Sequence, residues 1–174
     1  MNDSHNNADA ATDPLTAAIF QRDAEVMAMV RTALMTNSVA LHYQPVVQSG
    51  NQHTPAFFEG LIRVLDDTGR VIPAREFIST IEDTTEGRQV DCLALSFGLR
   101  ALKQNPGLRL SVNMSARSIG HPGWMEALDR GLHNNPTAAE RLIIEITESS
   151  AFGNPDAVFD FMGEVNSLGC AFAL

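Results

Sequence analysis

The sequence has few basic residues, few cysteines and no long apolar run. Its 174 residues include 12 lysines and arginines against 21 aspartates and glutamates, a formal net charge of −9, and Lys103 is the only lysine. This balance argues against broad capture of nucleic acid or anionic lipid, because no surplus of positive charge is available to release counterions. It does not exclude a small anionic ligand held by one or two arginines.

The other scarce features limit the class of protein. Cys92 and Cys170 lie far apart and form no CxxC or CxxH pair, so neither a zinc site nor a disulfide framework is indicated. No stretch approaches the roughly 18 apolar residues of a membrane-spanning helix. Residues 1–13 are acidic and polar, unlike a signal peptide, and we predict that they form a disordered tail. We therefore expect a reducing, cytoplasmic setting without membrane contact.

What the chain does contain is an alternation of strand-like and helix-like segments. An amphipathic helix is predicted from Pro14 to near Asn37, followed by two strands over 39–47 and 56–65 with a turn over 49–55 between them. Beyond this pair, helices and strands alternate, which predicts an α/β fold with a parallel sheet. The later strands are predicted over 108–115, 142–147 and 170–174, with an extended stretch over 71–73, and the later helices over 77–81, 87–104, 124–132 and 155–168.

The length and the last segment suggest part of a larger barrel. A complete (β/α)8 barrel takes about 250 residues, so five strands in 174 residues amount to rather more than half of one. The predicted strand over 170–174 would be an apolar edge without a pairing partner if the chain stopped there. We therefore expect the natural protein to continue past Leu174.

Polar residues occupy inward positions on three of the predicted strands. Glu59 and Arg63 share one face of the second strand, Asn113 alternates with apolar neighbours on the third, and Glu145 does so on the fourth. Two carboxylates and an amide oxygen suit Mg²⁺ or Mn²⁺, and Arg63 could bind a phosphate in bidentate fashion. Taken singly, each could instead be a solvated edge residue or a satisfied strand-end group. Together they indicate metal-assisted phosphate chemistry.

Five short segments, in this order, are shared with one known family. The segments are Leu41-His42-Tyr43-Gln44-Pro45, Glu59-Gly60-Leu61-Ile62-Arg63, Pro73-Ala74-Arg75-Glu76-Phe77-Ile78, Ser111-Val112-Asn113-Met114-Ser115 and Glu145-Ile146-Thr147-Glu148-Ser149. On these segments the chain resembles, from about residue 24 to residue 174, the amino-terminal part of an EAL domain, the family of bacterial cyclic di-GMP phosphodiesterases.

The resemblance implies a TIM-like (β/α)8 barrel of the EAL type, incomplete here, whose second strand runs antiparallel to the others. It implies hydrolysis of cyclic di-GMP to linear pGpG with two Mg²⁺ or Mn²⁺ ions. It also leaves room for a homodimer of the complete protein. By position, the resemblance gives metal ligation to Glu59, Asn113 and Glu145, phosphate contact to Arg63, nucleotide contact to Gln44, and support of the metal-positioning loop to Glu148.

Two departures from the family pattern bear on activity. Gly60 replaces the alanine of the signature, at a position that points away from the site. The family's paired aspartates, a later lysine and a last glutamate would all lie beyond Leu174. We therefore expect these 174 residues alone not to catalyse. Two alternatives stay open: a catalytically silent EAL-like receptor or interaction module for cyclic di-GMP signalling, and a purely structural α/β module.

Overall fold

The computed structural model describes residues 13–133, 135–146 and 155–173, and only the backbone of residues 51–53. Within these ranges, helices and strands alternate after an initial hairpin, as the sequence predicts. The helices are α1 (Pro14–Met35), α2 (Ile78–Ile81), α3 (Thr85–Gln104), α4 (Pro122–His133) and α5 (Pro155–Ser167). The strands are β1 (Val39–Gln48), β2 (Asn51–Leu65), β3 (Val71–Pro73), β4 (Leu110–Asn113), β5 (Leu142–Glu145) and β6 (Ala171–Ala173).

The strands form one sheet in the order β1-β2-β4-β5-β6, with β3 attached to β2. The pairs β2–β4, β4–β5 and β5–β6 are parallel, each reached by a crossover that contains a helix. The short β3 pairs antiparallel with β2. This arrangement is an incomplete α/β barrel sheet.

One detail of the expected topology is wrong. The resemblance implied that the second strand is reversed, whereas β2 runs parallel to β4 and β1 is the strand that opposes it. The tight connection between β1 and β2 forces those two strands to be antiparallel, and the crossover through α3 then sets the direction of β2 as that of the remaining barrel strands.

Several boundaries also differ from the prediction. The segment 49–55 was predicted as a turn, but β2 already begins at Asn51, because Gly50 adopts φ +94° and closes the connection tightly. The strand β3 was predicted only as an extended stretch. Strands β4, β5 and β6 are shorter than predicted, and the predicted ends of the last two, at Thr147 and Leu174, lie outside the described residues.

Two apolar clusters hold the helices against one face of the sheet. One joins α3, α4 and α5 to β4, β5 and β6, and its largest buried side chain, Trp124, meets Phe161 edge to face at 5.3 Å. The other joins α1, α2 and α3 to β2, with Phe77 and Ile81 fully buried. The opposite face of the sheet carries the polar residues singled out above. No helix of the described ranges is long and apolar enough to cross a membrane.

Candidate functional site

The strand register places the predicted polar residues on one side of the sheet, which we call the open face. Gln44 of β1 is the register partner of Glu59 of β2, and Asn113 of β4 is the partner of Glu145 of β5. Register partners point to the same side of a sheet. The residues alternating with Asn113, such as Val112, face the helices and are buried.

Glu59 and Asn113 are in direct contact across the β2–β4 pair. The Asn113 Nδ2 donates a hydrogen bond to Glu59 Oε1 at 2.8 Å. The backbone of the next residue is fixed as well, because the Met114 amide donates to the Glu145 carbonyl oxygen at 2.8 Å. Asn113 is therefore held between a carboxylate on one neighbouring strand and the backbone of the other.

These three side chains form a donor set that suits a hard divalent cation. Glu59 and Glu145 supply carboxylate oxygens and Asn113 supplies an amide oxygen. Asn113 and Glu145 end the parallel strands β4 and β5, and Glu59 lies within the adjacent β2, as the register partner of Ser111. Neighbouring strands lie about 4.8 Å apart, so side chains at these positions are within reach of a shared ion. The chemistry of the donor set therefore fits Mg²⁺ or Mn²⁺.

Arg63 lies four residues after Glu59 on the same side of β2. Its Nη1 donates to the carbonyl oxygen of Ile62 at 2.8 Å, and the residue is half-buried. Within the described residues, no carboxylate pairs with this guanidinium. Its remaining donors can therefore serve an anionic group at the carboxyl end of β2.

Gln44 and Glu148 are the two remaining predicted site residues. Gln44 is exposed on the open face beside Glu59. Glu148 lies outside the described residues. At Gly60, an added Cβ would lie 3.0 Å from a Leu41 methyl group and 3.0 Å from the Ser111 carbonyl oxygen, on the helix-covered side of the sheet.

A cavity of about 360 Å³ opens beside Glu59 and Asn113, between the sheet and helices α2 and α3. Its walls are mostly apolar, and its charged members are Glu59, Arg75, Glu82 and Asp91. Asp91 is a residue that the sequence reasoning missed. Its carboxylate is 6% exposed, and burial raises its pKa to about 6 despite hydrogen bonds from Ser118 and Ser115. In the sequence, the only indication of Asp91 is an acidic residue at a position of the predicted helix where the pattern calls for an apolar one.

The histidines and cysteines of the described residues offer no second centre of comparable quality. Cys92 Sγ lies 3.9 Å from His121 Nδ1, but burial and the neighbouring Asp91 raise the pKa of this thiol, which keeps it protonated at neutral pH. Within the described ranges, no three histidine, cysteine, aspartate or glutamate side chains are grouped for metal binding. The Glu59–Asn113–Glu145 set contains only two such side chains, because its third donor is the amide of Asn113.

With this geometry in place, comparison with known proteins gives the family. The model of the EAL domain matches residues 27–174. The chain belongs to the EAL domain family. The predicted resemblance to this family is thereby confirmed, and so is the fold class.

Relatives of this EAL domain include a cyclic di-GMP phosphodiesterase, PdeB, of Shewanella oneidensis, which is 26% identical over 160 residues. Another is the bifunctional diguanylate cyclase/cyclic di-GMP phosphodiesterase MucR of Pseudomonas aeruginosa, 24% identical over 159 residues. These matches cover 89% and 88% of this chain but only 19% and 23% of the relatives. The chain thus spans about a fifth of their length.

Solved EAL domains superimpose on the same range. The FimX EAL domain of Xanthomonas citri in complex with c-diGMP aligns with a TM-score of 0.75 at 22% identity, covering 91% of this chain and 62% of that one. The FimX EAL domain of Pseudomonas aeruginosa bound to c-di-GMP aligns with a TM-score of 0.73 at 26% identity, covering 85% and 60%. Both likenesses support an incomplete TIM-like barrel.

Proposed function

We propose that this EAL domain serves a metal-dependent phosphodiesterase that hydrolyses cyclic di-GMP to linear pGpG. The observation that carries the proposal is the donor set on the open face, where Glu59, Asn113 and Glu145 project from adjacent strands and the first two touch at 2.8 Å. The kinship with phosphodiesterases named for cyclic di-GMP supports the choice of substrate.

In this proposal Glu59, Asn113 and Glu145 hold the metal. Two Mg²⁺ or Mn²⁺ ions, when bound, would polarise the phosphate and lower the pKa of a bound water. Asn113 keeps the Glu59 carboxylate oriented through its Nδ2 while its own oxygen stays available as a ligand. The Glu59 carboxylate on β2 is therefore oriented even when no ion is bound.

The remaining residues would bind the substrate or order the site. Arg63 would bind a phosphate oxygen pair, and Gln44, exposed beside Glu59, would contact the nucleotide. Glu148 would support the loop that positions the metals. We expect the 174 residues alone to be inactive, because three donors without a bridging carboxylate leave the two-metal arrangement incomplete.

A second candidate is binding of cyclic di-GMP without hydrolysis. It is favoured by the apolar cavity next to Asn113, which could receive a ligand without metal chemistry, and by the c-di-GMP named in the FimX structures. For either function we propose a reducing cytoplasmic setting, supported by the two unpaired cysteines. The homodimer and the lack of contact with nucleic acid stay predictions.

The proposal is tested by Glu59→Gln in the full-length gene product. Removing this charge should weaken Mn²⁺ binding about tenfold or more and lower turnover of cyclic di-GMP by about two orders of magnitude, because the carboxylate is a ligand. The matched control is Glu140→Gln, an exposed glutamate before β5, at the opposite end of the strand from Glu145. Near-normal turnover by Glu59→Gln would contradict the site. If the wild-type protein binds cyclic di-GMP but does not hydrolyse it, the second candidate is favoured.

A further inference from the structure

Helix α3 presents a buried carboxylate to the loop that follows β4. Asp91 is 6% exposed, and its Oδ2 accepts one hydrogen bond from the Ser115 amide at 3.1 Å and another from Ser118 Oγ at 2.5 Å. Ser118 is itself 1% exposed. These two contacts link helix α3 to the loop that begins directly after Asn113.

Two backbone contacts fix the start of this loop. The Met114 amide bonds to the Glu145 carbonyl oxygen, and the next amide, that of Ser115, bonds to Asp91. The Ser115 side chain then accepts from the Arg117 amide at 3.2 Å and starts the short 3-10 helix Ala116–Ser118. The backbone immediately after Asn113 is therefore anchored at two consecutive amides.

This anchor is a costly way to hold a loop. Burial of the carboxylate raises its pKa, so the charged form is disfavoured inside the protein, and a neutral residue would serve the fold more cheaply. A charge retained in such a place suits a role in which a hydrogen bond must be short and directed, as charge-assisted bonds are.

We propose that Asp91 is a positioning residue that, through Ser115 and Ser118, holds the loop after β4 so that the Asn113 amide stays against the Glu59 carboxylate. The proposal rests on the function proposed above only for its consequence, which is metal affinity. The positioning itself is a property of this chain without any ion.

A second tie to the same loop is available as a control. Arg117 Nε pairs with Asp83 Oδ1 at 2.8 Å, but both side chains are about two-thirds exposed, at 66% and 69%. Exposed pairs of this kind contribute little to stability. Asp83→Ala therefore removes an acid that touches the same loop without removing the buried anchor.

The experiment compares Asp91→Ala, Asp91→Asn, Ser118→Ala and Asp83→Ala in the full-length gene product. Mn²⁺ affinity is measured by titration, the Asn113 side-chain amide is followed by ¹⁵N NMR without metal, and Tm is recorded for each variant. Val165→Ala, which opens the core between α5 and the sheet, serves as a destabilised variant that leaves the anchor intact. All measurements are made well below the lowest Tm.

We expect Asp91→Ala to weaken Mn²⁺ binding about tenfold and to shift the Asn113 amide resonances, and Ser118→Ala to do both to a smaller extent. Asp91→Asn should recover part of the affinity, because its amide oxygen can accept the same two hydrogen bonds but lacks the charge that strengthens them. Asp83→Ala and Val165→Ala should leave both readouts unchanged. Unmoved Asn113 resonances in Asp91→Ala, or an equal affinity loss in Val165→Ala, would overturn the proposal. A wild-type protein that binds no Mn²⁺ would instead contradict the metal site, while the Asn113 resonances would still test the anchor.

Discussion

At the scale of single residues, the open face separates metal-binding groups from a phosphate-binding group. Arg63 extends from the same strand as Glu59 but bonds to a backbone carbonyl oxygen, that of Ile62, and to no acid of the donor set. Its loss should therefore leave the metal ligands in place. We therefore expect the loss of Arg63 to weaken phosphate binding and the loss of Glu59 to weaken metal binding.

Arg63→Ala should weaken binding of cyclic di-GMP about tenfold or more while leaving Mn²⁺ affinity unchanged, because a charged bidentate contact is lost and no ligand is removed. Isothermal titration of the full-length gene product with each ligand measures both. The control is Arg109→Ala, an exposed arginine just before β4, at the amino end of the parallel strands. An unchanged dissociation constant for cyclic di-GMP in Arg63→Ala would show that the phosphate contact is made elsewhere.

Asp91 predicts a specific dependence of stability on pH. Its pKa is raised from 3.8 to about 6 by burial, so the folded protein binds a proton more readily than the unfolded chain. The free energy of unfolding contributed by this group is therefore lowest above pH 6 and increases as the pH falls through 6. Between pH 7 and pH 5 the gain should be about 1 kcal/mol.

Urea unfolding of wild type and Asp91→Asn at pH 7 and pH 5 isolates this contribution, because the other titrating groups are common to both. The wild type should gain stability relative to Asp91→Asn on acidification. If the difference in stability between the two proteins does not change with pH, burial does not raise the pKa of Asp91 in the folded protein.

The residues that sequence reasoning found and missed differ in how their signal arises. Glu59, Asn113 and Glu145 interrupt two-residue alternation, a pattern visible along one strand at a time. Asp91 is meaningful only through Ser115 and Ser118, more than twenty residues away, and helical periodicity does not reveal such a partner. Roles as ligands stay predictions for the first three.

At the scale of elements, helix α3 owes its position to glycines at its contacts. A Cβ at Gly87 would run into the carbonyl oxygen of Ile81, where the end of α2 passes the first turn of α3. A Cβ at Gly98 would lie 2.9 Å from Val112 Cγ1 of β4. The helix therefore approaches α2 and the sheet more closely than any larger residue allows.

Gly87→Ala should destabilise the protein by about 1–3 kcal/mol, because the obstructing atom belongs to the backbone and cannot turn aside. Gly163→Ala, in α5 with open space around it, should do the opposite and stabilise by about 0.5–1 kcal/mol through helix propensity. Chemical denaturation of both variants measures the two changes in the free energy of unfolding. Stabilisation by Gly87→Ala would mean that α2 and α3 are less closely packed than described.

The elements themselves were predictable where local pattern decides them. Periodicity located α1, α3 and α4, and strand-like patterns located β1, β2, β4, β5 and β6. Strand direction was not predictable in detail, because it depends on how tightly β1 is joined to β2, and Gly50 makes that connection two residues long. The short β3 depends on pairing with Leu65 and its neighbours, which no local signal encodes.

At the scale of the whole molecule, the described sheet has two ends. Strands β1 and β6 each have one neighbour in the sheet within the described ranges. Phe172 of β6 is nevertheless packed, meeting Phe161 edge to face at 5.8 Å. The β1 end is less protected, since Tyr43 and Val47 are 46% and 42% exposed. A strand edge with exposed apolar side chains is a template for pairing with another chain.

The 174-residue chain should therefore self-associate in solution through its strand edges, and a charge placed at the β1 edge should reduce this. Val47→Lys should raise the concentration at which light scattering detects species larger than a monomer, because charged residues at an edge oppose strand addition. Phe159→Lys is the matched control, since Phe159 is 67% exposed but lies on helix α5. An equal effect of both variants would indicate general apolar association rather than edge pairing. A wild-type chain that stays monomeric across the concentration range would contradict association by either route.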